Sequence, residues 1–144
     1  MVNIGRPPLL SRYMNDQVKP QTETVIQPPD QPTMVWDGDC TFCRKWIERW
    51  ARLTGGTVLY QQYQKTGDRF APLNAADFRR AVCLIEPDGR VSRAAEAVYR
   101  SLYLAGSLPL FYRLYRTIPL FATVSEVIYR WVARNRDRLV RWGL

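Results

Sequence analysis

The sequence predicts an α/β domain in which strands and helices alternate before closing on an antiparallel pair, with more helices appended. Three observations carry this prediction. A short apolar run, Thr33 to Trp36, ends in the acidic turn Asp37-Gly38-Asp39 and leads directly into an amphipathic stretch. A second β-branched and aromatic run, Thr57 to Gln61, returns after Gly55-Gly56. Pro87-Asp88-Gly89 then joins two further short runs with the residue types of a tight turn.

Each element follows in order. Met1 to Pro32 is rich in Pro, Gln, Asn and Thr with few large apolar residues, so residues 1–32 are expected to form a disordered tail. Thr33 to Trp36 is continuous in apolar character, as a central strand should be. Over Thr41 to Leu53, Phe42, Trp46, Ile47, Trp50 and Leu53 recur at three- and four-residue steps and predict a helix, which Gly55-Gly56 ends. The second strand and a polar loop, Gln62 to Leu73, precede a short helix capped by Asn74 and running to Arg80, with Asp77 in its first turn. Ala81 to Glu86 and Arg90 to Ser92 are the antiparallel pair, and Ala94 to Leu104 is helical. Crossover helices make the first two strands parallel. The order βαβαββα is a thioredoxin-like three-layer α/β sandwich, over residues 33–106.

Residues 107–144 predict a basic helical extension. Pro109 and Pro119 suit first helical turns, giving helices over Leu108 to Thr117 and Leu120 to about Trp142. The net charge of +8 is uneven, because this last segment holds seven basic against two acidic residues.

Composition excludes several functions. With no histidine in 144 residues, Ser-His-Asp and Cys-His nucleophiles and His-dependent metal sites are removed. Three cysteines do not make a disulfide-stapled secreted scaffold. No secretory leader pattern is read, and even Ser101 to Tyr112, as long an uncharged run as any in the chain, is far short of the roughly 20 residues of a spanning helix. A reducing, cytoplasmic setting is expected.

The chemistry gathers at Cys40 and Cys43. A CxxC at a helix start can close a disulfide with little strain and gives one sulfur the unpaired amides of the first turn. That favours Cys40 as the attacking thiolate and Cys43 as the resolving thiol, while Asp37 and Asp39 oppose the thiolate by like-charge repulsion and argue for a reducing poise. Asp37 is placed to carry a proton to or from Cys43. A zinc site lacks further ligands, Cys83 being expected as a small buried residue. The Asp37-x-Asp39-x-Thr41 pattern of a phosphoaspartyl phosphatase lacks the rest of that machinery.

The segment Asp37-Gly38-Asp39-Cys40-Thr41-Phe42-Cys43 resembles the DCC family of thiol-disulfide oxidoreductases, named for Asp-x-x-Cys-x-x-Cys. The likeness spans about Met34 to Arg138 and includes the Pro-Asp-Gly turn, the alanine-rich helix after it, and a tail with Leu-Pro and Arg134-Asn135-Arg136. It implies thiol-disulfide exchange through Cys40, Cys43 and Asp37, with no bound cofactor or metal and with protein or small-molecule thiols as partners. Thioredoxins place a cis-proline before the third strand; here Arg79-Arg80-Ala81 stands there, Pro72 coming too early, and an arginine at that place would favour a thiolate or an anionic thiol such as glutathione. The competing reading is a redox-inactive interaction protein on the same fold, held peripherally at an anionic membrane by the basic helices. Nucleic acid is not an expected partner.

Overall fold

The computed structural model describes residues 24–144. Its organising strand is β1 (Thr33–Trp36), every residue of which is buried. Alternation sends successive side chains to opposite faces. On one face Val35 packs with Val25, Phe70, Leu73, Phe78, Cys83 and Ile85. On the other, Met34 and Trp36 pack with Ile47, Val58, Val82, Leu84 and Ala97. Two apolar layers on one sheet make the sandwich.

The sheet order is β2-β1-β3-β4, with β2 (Leu59–Gln62), β3 (Cys83–Ile85) and β4 (Val91–Arg93). β1 runs parallel to β2, Thr33 opposite Leu59 and Trp36 opposite Gln62, and antiparallel to β3, Val35 opposite Cys83. β3 and β4 are antiparallel across the Pro-Asp-Gly turn. The expected topology is therefore present, with β1 at its expected limits and the other strand limits shifted by one to two residues.

Helix α1 (Thr41–Thr54) lays Phe42 and Ile47 into the core and stops at Gly55, whose left-handed φ of 56° glycine adopts without a Cβ penalty. Helix α2 (Ala75–Arg80) starts with a reciprocal cap: the Asn74 side chain accepts from the Ala76 amide at 2.9 Å, and Asp77 accepts from the Asn74 amide at 2.9 Å. Helix α3 (Ala94–Leu104) crosses the opposite face, and its Arg100 clasps the buried Glu86 at 2.7 and 3.1 Å.

The C-terminal segment is packed onto α3. It comprises α4 (Pro109–Thr117), α5 (Pro119–Arg134) and α6 (Arg136–Arg141). Tyr99 of α3 sits among Phe111, Tyr115 and Phe121, with ring centroids 5.8–5.9 Å away. Glu126 of α5 accepts from the Tyr115 hydroxyl at 2.8 Å and from the Glu96 amide at 3.3 Å. The single helix expected from Leu120 to Trp142 is broken at Asn135. Its side-chain amide donates to the Trp131 carbonyl at 2.7 Å, a local bond that competes with continued helix.

The described residues also include part of the segment before Thr33. Of the tail expected over residues 1–32, residues 1–23 lie outside the described residues. From Thr24 onward the chain lies against the sheet: the Val25 amide donates to Gly89, the Ile26 amide donates to Ala71, and Val25 is 6% exposed. One buried valine in a polar segment carries no periodicity, so pattern reading passes over it. A cis peptide bond joins Ala71 to Pro72 in the loop before α2. No described helix is long and apolar enough to cross a membrane.

Candidate active site

Cys40 is the N-cap residue of α1, with extended backbone angles, and Cys43 lies one turn on. Their Cα atoms are 5.2 Å apart and the sulfurs are joined as a disulfide. That spacing is within the range a disulfide requires. The cap geometry does more than permit the bond. The Cys43 amide is one of the helix's unpaired N–H groups, and it donates to Cys40 Sγ at 3.1 Å. Both cysteines are half-buried.

A second donor comes from the far end of the chain. Arg136, the first residue of α6, directs Nη1 to Cys43 Sγ at 3.3 Å and to Cys40 Sγ at 3.5 Å. Its other nitrogens are fixed by backbone: Nε donates to the Ala133 carbonyl at 2.8 Å and Nη2 to the Arg79 carbonyl at 3.1 Å. The break at Asn135 brings this side chain round to the sulfurs. Pattern reading expects a cation here from Arg79 or Arg80, but both side chains are exposed and neither bonds to sulfur among the described residues. The α2 end contributes the Arg79 carbonyl, which holds Arg136. The Arg134-Asn135-Arg136 tail holds this residue, but nothing in that pattern marks its contact with the cysteines.

Asp37 organises the turn in front of the pair. Its Oδ1 accepts from the Asp39 amide at 3.1 Å and from Gln64 Nε2 at 2.8 Å. Gln64 returns its own oxygen to the Gly38 amide at 3.1 Å, and Arg44 donates to the Gly38 carbonyl at 3.1 Å. A Cβ at Gly38 would meet the Gln62 side chain, which would have to swing aside. The turn is thus stapled from both sides, and the Cys40 amide closes it on the Asp37 carbonyl at 3.2 Å. No hydrogen bond joins the Asp37 carboxylate to either sulfur among the described residues. Gln64, in the 3-10 turn Tyr63–Lys65 after β2, is a site-building residue that no sequence pattern marked. Cys83 lies wholly buried in β3, beside Val35 and Phe78.

The donors have a chemical consequence. Reducing the disulfide leaves an electron pair on sulfur, and N–H groups aimed at that atom favour the thiolate. Cys40 Sγ has two such donors and Cys43 Sγ has one. The geometry therefore favours Cys40 as the thiolate.

Beside the pair lies a cavity of about 390 Å³ between α1, α3 and α5. Its wall includes Cys43, Phe42, Trp46, Trp50, Ile128 and Val132, with Tyr129 and Arg136 at its border with β3 and α6. Phe42, Trp46 and Trp50 form a ladder of tilted rings with successive centroids 6.1 Å apart. Burial raises the pKa of the Tyr129 hydroxyl, which therefore stays protonated, and its oxygen accepts from the Val82 amide at 3.1 Å.

A family model described as DCC1-like thiol-disulfide oxidoreductase matches residues 34–142, from β1 through the C-terminal helices. No curated protein and no solved structure matches the chain.

Proposed function

The chain belongs to the DCC1-like thiol-disulfide oxidoreductase family, and we propose that its Cys40–Cys43 pair cycles between disulfide and dithiol, exchanging two electrons with a thiol or disulfide substrate. One observation carries this reading: a closed CxxC at the start of α1 whose sulfurs face the Cys43 amide and Arg136. The reduced dithiol carries the two electrons and the disulfide lacks them, so the cysteine pair is itself the redox carrier and the exchange runs without a bound cofactor. In the reduced protein Cys40 is the thiolate. A substrate thiol or disulfide passes through a mixed disulfide with one cysteine, and the other cysteine resolves it. Asp37 enters as a positioning residue through the Gly38 turn.

Equilibration against dithiothreitol or glutathione, read by thiol alkylation, tests the proposal. A reversible two-electron transition that Cys40→Ser abolishes supports it. A pair that stays in one state across the accessible potentials overturns it.

A second reading has one specific observation in its favour. Leu110, Ile118 and Leu120 are 61%, 44% and 72% exposed, close in sequence to Arg113 and Arg116 on the basic helices. Such a surface suits peripheral contact with an anionic bilayer, with the redox pair idle. Salt-sensitive sedimentation with anionic vesicles and none with zwitterionic ones is the result it requires.

A further inference from the structure

We infer that the cavity beside Cys43 is the substrate site of the exchange, and that it selects a neutral dithiol, or the matching cyclic disulfide, on a hydrocarbon body. The inference rests on the redox reading of the Cys40–Cys43 pair and deepens it.

Position comes first. Cys43 forms part of the cavity wall, so an occupant meets a reacting sulfur directly. The volume, about 390 Å³, is within the range of small-molecule sites. An extended peptide has no backbone edge to pair with at the adjoining start of β3. The Val82 amide is taken by Tyr129, and the Val82 carbonyl accepts from the Ala94 amide at 3.0 Å.

Charge narrows the occupant further. Arg136 is the only charged residue of the lining, and its nitrogens are committed to two backbone carbonyls and the two sulfurs. The hydroxyls of Tyr99 and Ser125 bond to each other at 3.2 Å. Trp46 Nε1 is buried without an acceptor and offers no charge. A thiol such as glutathione, with two carboxylates and an ammonium, would surrender the hydration of three charged groups at a wall that offers one guanidinium, itself already bonded to two carbonyls and two sulfurs. A hydrocarbon chain gains from the same wall by burying its surface. The occupant is therefore neutral and apolar apart from its sulfurs.

A substrate thiolate attacks Cys43 Sγ, forming a substrate–Cys43 disulfide and breaking the Cys40–Cys43 bond. The electron pair leaves on Cys40 Sγ, where the Cys43 amide and Arg136 receive it. The second substrate thiolate attacks the substrate sulfur bound to Cys43, closing a cyclic substrate disulfide and releasing Cys43, which takes a proton. Two electrons pass from substrate to protein. The reverse sequence, in which Cys43 attacks and the Cys40 thiolate resolves, reduces a cyclic disulfide and exchanges the roles expected of the two cysteines from the helix start alone.

The test compares two dithiols as reductants of the oxidised full-length protein: dihydrolipoamide, with a hydrocarbon body, and dithiothreitol, which is compact and hydrophilic. Disulfide loss is followed by stopped-flow tryptophan fluorescence. Each rate is normalised to the same reductant's rate with a small unstructured disulfide, which removes intrinsic reactivity. The normalised ratio is expected to favour dihydrolipoamide by about tenfold or more, the scale of a few methylenes in an apolar site. Ile128→Glu, at an exposed rim position, and Val132→Phe, which fills the cavity, should each bring that ratio towards unity. A ratio near unity in the wild type, or one that both variants leave unchanged, overturns the substrate site while leaving the couple standing. Failure of both dithiols to reduce the pair overturns the redox reading itself.

Discussion

At the scale of single residues, Asp37 and Arg136 show how the site divides its labour. Asp37 accepts from the Asp39 amide and from Gln64, tasks an amide oxygen performs equally well. Asp37→Asn is therefore expected to keep the rate of exchange within about twofold, with the pH profile unmoved, whereas Asp37→Ala, which loses both bonds, slows it by about tenfold, one hydrogen bond's worth of positioning. If Asn slows exchange as much as Ala and flattens the pH profile, the carboxylate is moving a proton. Arg136 acts on the sulfurs themselves. Arg136→Ala removes donors that favour the thiolate, so the reduced form loses stability, the Cys40 thiolate titrates at higher pH, and the couple becomes more reducing by on the order of 30 mV. Arg136→Lys should recover part of the change. Thiolate absorbance and a redox titration measure both effects; a variant that only melts earlier, with both unmoved, would make Arg136 a structural tie. The two residues also differ in legibility. Asp37 stands in a motif three residues from Cys40, while Arg136 is 93 residues from the Cys43 sulfur it contacts. Its place depends on the path of three helices, which no local pattern encodes.

Elements were most legible where periodicity and cap chemistry agree. α1 has a clean apolar stripe and a glycine stop, and α2 has Asn74 with Asp77 three residues on; both formed as the pattern implies. The break between α5 and α6 was not legible, because Asn135 is compatible with a helix interior and only its bond to Trp131 ends the run. The α2 cap yields a pH prediction. The Asn74 amide, and then the Arg93 guanidinium at 2.9 Å, hold the Asp77 carboxyl below its ordinary 3.8. A depressed folded-state pKa contributes stability above the unfolded value, and that stability is lost as pH falls through the folded value. Asp77→Ala is thus expected to cost about 1 kcal/mol at pH 7, a typical capping loss. The gap from wild type should shrink as pH falls below 3.8. Urea unfolding of both proteins over that range measures it; a gap that stays constant would mean the carboxylate's charge is irrelevant to the cap.

At the scale of the whole molecule, the issue is whether the C-terminal helices form one cooperative unit with the sandwich. Composition suggests a boundary after Gly106, where charge and proline content change. The contacts run the other way. Tyr129 caps Val82 at the start of β3, Glu126 takes the Glu96 amide at the start of α3, and Arg136 reaches the disulfide. Tyr99 is enclosed by rings from α4 and α5. Removing the helices would uncover the apolar wall of α3 and leave polar groups that they now satisfy without partners, which couples the two parts. The expected outcome is a single urea transition in the full chain, with tryptophan fluorescence and far-UV circular dichroism coincident. Tyr115→Phe sharpens the test, because it removes a hydroxyl that donates to Glu126 at 2.8 Å within the C-terminal helices. The lost bond to a carboxylate should cost about 1.5 kcal/mol. In one cooperative unit that loss moves the whole transition to lower urea, disulfide accessibility included. In two units it would move only the helical phase, leaving the sandwich and the exposure of the Cys40–Cys43 pair at their original midpoint.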